Sequence, residues 1–183
     1  VRRFLLILAA ALSAPAVAAC DDPTSFLNEP ILRADSALVL RAPTAPGADA
    51  PSALNGAGPN TVSPERPQFA GQYDFALRQS GSTFRFVVLE TPTTTGRPGI
   101  ALSATPFPNI EEASRRRTEY SDSSVVLVAG ASYTYRTRQY QSAVGPCFNY
   151  GKLRVLALDP AQGTASIQAM VNLNCDDERL TTD

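Results

Sequence analysis

An all-β antiparallel sandwich is the fold this sequence predicts, and three observations predict it. Between Ser123 and Cys175 four short runs alternate apolar and polar residues, as half-buried strands do. Fifteen Pro and eleven Gly in 183 residues supply the turns that short strands need and leave little room for helices. Two cysteines, Cys147 and Cys175, stand where a single strand register sets them opposite each other.

That register comes from the clearest hairpin in the chain. Lys152–Leu158 and Thr164–Leu173 flank Asp-Pro-Ala-Gln-Gly, with Pro160 early in the turn and Gly163 where a positive φ is needed. On the second strand Ala165, Ile167, Ala169, Val171 and Leu173 make a buried face. Thr164, Ser166, Gln168, Met170 and Asn172 make a wet one. Leu153, Val155 and Ala157 belong with the buried set. Pairing odd with odd, with partner numbers summing to 322, closes the loop at Leu158–Thr164 and brings Cys147 to Cys175. Closing a loop of that length contributes at most ~3–4 kcal/mol on the chain-entropy argument.

The remaining elements follow in order. Asp35–Arg41 is expected as a first strand. Ala42–Pro67 holds six Pro and three Gly, which excludes a helix or a central strand and predicts a spacer with local contacts, an extended segment lying over the sheet being the alternative. The folded domain then begins near Phe69. Gln72–Arg78 puts Tyr73, Phe75 and Leu77 on one face, Ser80-Gly81 turns tightly, and Thr83–Glu90 returns. A loop over Thr91–Gly99 leads to a short strand at Ile100–Ser103. Pro108–Tyr120 predicts the one short helix, since Asn109 and Glu112 resemble a capping box and acids precede bases. Arg115 to Arg117 on it are expected to face water.

The first residues predict export. Arg2 and Arg3 precede an apolar run, Phe4 to Leu12, which is too short to span a bilayer, and then a small-residue region. The signal closes on Val17-Ala18-Ala19-Cys20, which resembles a bacterial lipobox with Val at its first place. The resemblance implies lipidation of Cys20 and attachment to a membrane; ordinary cleavage near Ala18 is the alternative. Three Cys favour lipidation, because it leaves Cys147 and Cys175 as a pair. The expected divisions are therefore 1–19 signal peptide, 20–68 lipidated segment and spacer, 69–177 sandwich domain and 178–183 polar tail. Loss of the signal leaves fourteen basic against seventeen acidic side chains, a net of −3, so no strong field draws the chain to nucleic acid.

Leu127, Gly130 and Tyr133 lie at the spacing of the corner between the fifth and sixth strands of fibronectin type III domains, with Ala129 in place of the usual Pro. The stretch resembles that family. It implies an Ig-like, fibronectin type III-like sandwich with an added, disulfide-stapled C-terminal hairpin, and a tyrosine corner at Tyr133 whose hydroxyl returns to nearby backbone.

No His is present, which removes His-dependent triads and His-ligated zinc sites. Walker loops, dinucleotide fingerprints and nucleophile elbows are absent. Asp176-Asp177-Glu178 lacks the alternating ligands of a Ca²⁺ loop and is expected as a solvated tail. No cofactor or metal is expected. Glu90, Glu111, Glu112, Glu119 and Asp122 leave open a carboxylate-dependent envelope hydrolase, and an accessory lipoprotein of a transport or assembly machine is a further alternative. The favoured expectation is a non-catalytic envelope lipoprotein that binds a partner protein or glycan, or supports an assembly. Its candidate surface is Arg136, Arg138 and Tyr140 on one strand face, with Phe148 and Tyr150 in the next loop.

Overall fold

The computed structural model describes residues 30–43, 51–90, 96–142 and 145–181. The predicted signal peptide and Cys20 lie outside them. Among the described residues twelve strands form two five-stranded antiparallel sheets and a small ribbon. The first sheet runs β1 (Leu32–Arg41), β12 (Thr164–Asn172), β11 (Tyr150–Asp159), β8 (Ser132–Arg136) and β6 (Gly99–Ser103). The second runs β3 (Asn60–Val62), β2 (Ala53–Asn55), β4 (Phe75–Ser80), β5 (Thr83–Val88) and β7 (Ser124–Val126). The ribbon is β9 (Tyr140–Ser142) with β10 (Gly145–Cys147).

Alternation puts one face of each sheet into a shared core. Phe75, Leu77, Phe84 and Phe86 from the second sheet meet Tyr133, Tyr135, Leu153, Val155, Ile167 and Ala169 from the first. The predicted buried face of β12 forms from Ala165 to Val171, whereas Leu173 lies past the strand end and is exposed. Tyr73 leaves the expected face; it packs with Ala53, Val62, Ala76 and Phe69 in a separate small cluster.

The β11–β12 register holds for six residues and then slips. Tyr150 pairs with Asn172 and Val155 with Ile167, as the sum of 322 requires, but Ala157 pairs with Ser166 and Asp159 with Thr164. The extra residue is a bulge at Leu156, which exposes Leu156 and Ala157 and turns Leu158 toward the core. The turn is the reason. Asp159 Oδ1 accepts the amides of Ala161 and Gln162 at 2.9 and 3.0 Å, so the strand ends at Asp159 and not at Leu158. Gly163 carries the positive φ that the loop requires, +63°.

The stretch expected as a spacer supplies strands. Leu54 and Ala53 are fully buried, and β2 pairs with both β3 and β4. Pro51, Pro59 and Pro64 fall outside these three-residue strands, so the prolines bracket them and do not interrupt them. β1 pairs with β12 along its length and contributes Leu38 and Leu40 to the core. The expected boundary near Phe69 therefore has no counterpart; among the described residues β1 already belongs to the fold.

The helix predicted over Pro108–Tyr120 does not form. Among the described residues the helical pieces are three-residue 3₁₀ turns, here Phe107–Asn109 and Arg117–Glu119. Between them the chain pairs with the C-terminal segment: Ala113 N–H donates to the Glu178 carbonyl at 2.9 Å and Leu180 N–H to the Glu111 carbonyl at 2.6 Å. Burying Ile110 and Ala113 against Leu180 and Tyr150 outweighs the weak helical preference of so short a segment. The C-terminal segment, expected to be solvated, is thus docked as far as Leu180. Arg115, Arg116 and Arg117 stay at the surface, paired with Glu178, Glu119 and Asp122.

Two local expectations are met in detail. Tyr133 is fully buried, its hydroxyl accepting the Val128 amide and donating to the Val126 carbonyl, both at 3.0 Å. Cys147 and Cys175 form a disulfide with Cα atoms 5.5 Å apart, tying the β9–β10 ribbon to the C-terminal segment.

Candidate functional site

The five residues expected to form an open patch are divided among three settings. Arg136, at the end of β8, is 5% exposed; Nη2 donates to the Arg97 carbonyl at 3.0 Å and the guanidinium lies 4.6 Å from the Phe148 ring centre. Burial lowers its pKa, with Tyr150 among the groups that oppose the shift. Tyr150 is itself buried beside Ile110, Ala113 and Leu180. Arg138 turns to the core-facing Asp74, and Tyr140 lies half-buried on the ribbon opposite Cys147. Only Arg136, Phe148 and Tyr150 come together, under cover.

Among the described residues Asp74 is the most deeply placed carboxylate. It accepts the Gly56 amide at 2.7 Å and the Arg138 amide at 2.6 Å, and Arg138 Nη1 lies 3.2 Å from Oδ2. Burial raises its pKa, against the pull of Arg138 and the two amides. Tyr135 completes the knot by donating toward the Gly56 and Met170 carbonyls at 3.2 and 3.1 Å. These contacts join the β2–β3 turn to the segment that follows β8, which is a structural task.

The carboxylates considered for hydrolysis lie elsewhere. Glu90, Glu111, Glu112 and Glu119 are exposed, while Asp122 is half-exposed beside Arg117. Among the described residues no group of three acidic or thiol side chains is placed to hold a metal.

An unpredicted groove lies on the outer face of the first sheet. Because Leu153, Val155, Ile167 and Ala169 point into the core, their neighbours Lys152, Arg154, Gln168 and Met170 point out, in cross-strand pairs Lys152–Met170 and Arg154–Gln168. The 3₁₀ turn at Phe107–Asn109 and the end of the docked C-terminal segment wall this face. Together with Leu32 they enclose a depression of about 440 Å³ lined also by Phe107, Pro108, Leu180 and Thr181. A second depression, about 300 Å³, shares Phe107, Pro108 and Arg154 and continues to Ser103–Pro106 and Gly130–Ser132.

The electrostatics of this groove are one-sided. Lys152 is 3% exposed, donates from Nζ to the Ile110 carbonyl at 2.7 Å and lies 5.2 Å from the Phe107 ring centre. The Arg154 guanidinium lies 5.7 Å from the same ring. Neither lining contains an acidic residue. Burial pulls the Lys152 pKa down, while Glu111 at the surface pushes it back up. A site of this kind holds an anion by charge and an apolar group by contact with Phe107, Met170 and Leu180.

Part of this was visible in the sequence, since the alternation of β12 names Gln168 and Met170 as outward. Lys152 is also the chain's single lysine. The walls were not visible, because they come from segments tens of residues away that read as helix and as solvated tail. No family model, curated protein or solved structure matches this chain.

Proposed function

We propose that the protein is a non-catalytic binding module of the bacterial envelope, tethered by lipid on Cys20 and presenting the groove over Lys152 and Arg154. The observation that carries the reading is that groove: a depression on a sheet face, bordered by two loops, with a buried ammonium, a guanidinium and no acid in its lining. The signal-like first residues and the Val17-Ala18-Ala19-Cys20 pattern support that location. From Cys20 to Pro30 the chain reaches at most about 35 Å, so a lipid there keeps the sandwich close to the bilayer. The Cys147–Cys175 bridge suits an oxidising compartment.

The fold supports kinship with fibronectin type III and Ig-like domains. β4, β5 and β7 are neighbours in one sheet and β6, β8 and β11 in the other, which corresponds to the A-B-E and C-F-G strand sets of that class. Tyr133 then occupies the corner entering the sixth strand. β12 and β1 extend one sheet, and β2 and β3 the other.

Intact-mass analysis of protein taken from native membranes tests the tether. The expected product begins at Cys20, carries acyl groups, and shows no alkylation of Cys147 or Cys175 until a reductant is added. A product without lipid, recovered in the soluble fraction, overturns the anchored reading.

A further inference from the structure

We propose that the groove binds an anionic amphiphile, its carboxylate or phosphate head held between Lys152 and Arg154 and its hydrocarbon part laid along Phe107, Met170 and Leu180. The inference deepens the binding reading and rests on its choice of groove; it does not depend on the lipid at Cys20.

Three features of the site argue for this ligand class. A buried ammonium is ordinarily paired with a carboxylate, because desolvating a lone charge is unfavourable. Lys152 spends one of three donors on the Ile110 carbonyl, and among the described residues no carboxylate lies within 4.0 Å of it. Arg154 stands two residues along the same face, about 6–7 Å away on an extended strand, and it too has no acidic partner among the described residues. Two cations at that spacing fit one head group with several acceptor oxygens, and the guanidinium offers the forked geometry such groups favour.

The walls decide the rest of the ligand. A site for inorganic phosphate alone needs polar walls throughout, whereas this open depression sets Phe107, Pro108, Met170 and Leu180 beside its polar lining of Lys152, Arg154, Gln168 and Thr181. Its size, about 440 Å³, falls in the range of small-molecule pockets. The continuation past Arg154 toward Ser103 and Ala131 gives a chain longer than the first depression a place to run. The outer wall belongs to the segment that Cys175 secures, so the bridge holds the cavity in shape.

Titration of the full chain carrying Cys20→Ser, which removes the attachment atom for lipid, tests the proposal without a bound acyl group in competition. The probes are dodecanoate, dodecyl phosphate, acetate, inorganic phosphate and dodecyltrimethylammonium, followed by calorimetry and by amide shifts below the critical micelle concentration. Saturable one-to-one binding of a dodecyl anion is expected, with shifts centred on Lys152, Arg154, Met170 and Leu180. The head groups alone and the cationic amphiphile are expected to bind at least tenfold more weakly. Arg154→Gln, a change at an exposed side chain that leaves the core untouched, is expected to weaken binding about tenfold, and Met170→Asp is expected to abolish it. The relative affinities of dodecanoate and dodecyl phosphate identify the preferred head. Equal binding of the cationic amphiphile, no saturable binding of either anion, or unchanged affinity in Arg154→Gln overturns the proposal. Any of these leaves the tether to be judged by the mass of the native protein.

Discussion

Replacing Gly151 by Ala is expected to destabilise the sandwich more than any other single methyl added to β11. Gly151 lies across from Val171 on one side and Tyr135 on the other, with its missing side chain directed at the core. A Cβ there would lie 2.5 Å from both Tyr135 Oη and the Met170 carbonyl oxygen, and closer still to Tyr135 Cζ. Ordinary contact begins near 3.4 Å, so the ring must retreat by about 1 Å. The ring is hemmed in on both sides, because its far edge lies over Gly56, within 2.8 Å of the position a Cβ would take there, and Phe75 packs against it with centroids 5.7 Å apart. Displacing Tyr135 also loosens its bonds to the Gly56 and Met170 carbonyls. Overpacking of ~1–3 kcal/mol and one or two weakened hydrogen bonds of ~0.5–1.5 kcal/mol each give an expected loss of about 3–4 kcal/mol. For a chain of this size that lowers Tm by roughly 6–16 °C.

A double-mutant cycle isolates the cause. Tyr135→Ala alone opens a cavity and is expected to lose ~3–5 kcal/mol. In that background the contact with the Met170 carbonyl oxygen remains, so Gly151→Ala is expected still to cost stability, but ~1–2 kcal/mol less than in the parent, the difference being the share carried by the ring. Urea unfolding of the four proteins with unchanged m values measures each member of the cycle. A Gly151→Ala protein within about 1 kcal/mol of the parent, or one equally destabilised with and without Tyr135, refutes the reasoning.

Arg138→Met removes the guanidinium that opposes the burial-raised pKa of Asp74. A carboxyl whose folded pKa exceeds its unfolded value favours the fold below the unfolded pKa and loses that contribution as pH rises through the folded one. The variant is therefore expected to fall behind the parent by ~2–4 kcal/mol at pH 7 and by much less near pH 4, as read by urea unfolding at both pH values; an equal deficit at both counts against the pair. Asp177 shows the opposite sign: burial pushes it up, but hydrogen bonds from Arg179, Asn172 and Asn174 hold its pKa at about 2. Its contribution is present above the ordinary aspartate value of 3.8 and is lost as pH falls toward 2, so exchange protection at the Leu180 amide is expected to fade over that window before protection in β12 does. Asp177→Asn is expected to erase this dependence, and a Leu180 amide that stays protected to pH 2 disproves it. Joint replacement of Cys147 and Cys175 by Ser is expected to lower stability by ~2–4 kcal/mol in calorimetry and to raise exchange at Ala113 and Leu180, while Ile167 remains protected.

What could be read from the chain alone was whatever depends on residues a few positions apart. The alternation from Ala165 to Val171, the positive φ at Gly163 and the hydroxyl return of Tyr133 are of this kind, and the approach of Cys147 to Cys175, 28 positions apart, follows from them through the hairpin register. The errors share a cause as well. The bulge at Leu156 arises because the Asp159 carboxylate caps its own turn, and a capping preference shifts the register without altering the apolar pattern. The helix over Pro108–Tyr120 fails because its strongest partner, the strand-like segment ending at Leu180, lies about seventy residues downstream.

Periodicity therefore determined that this is an antiparallel β protein, which residues of β12 are buried, and that Lys152, Arg154 and Met170 would lie near one another on a sheet. Only the tertiary structure decided that this face is walled, that Arg136 and Tyr150 are covered, and that Ala53–Val62 belongs to the fold. Which face a strand buries is set by a period of two, repeated along a few residues. Which distant loop comes to cover the other face depends on closing long stretches of chain against a small gain in burial, and no local repeat of residues records that choice.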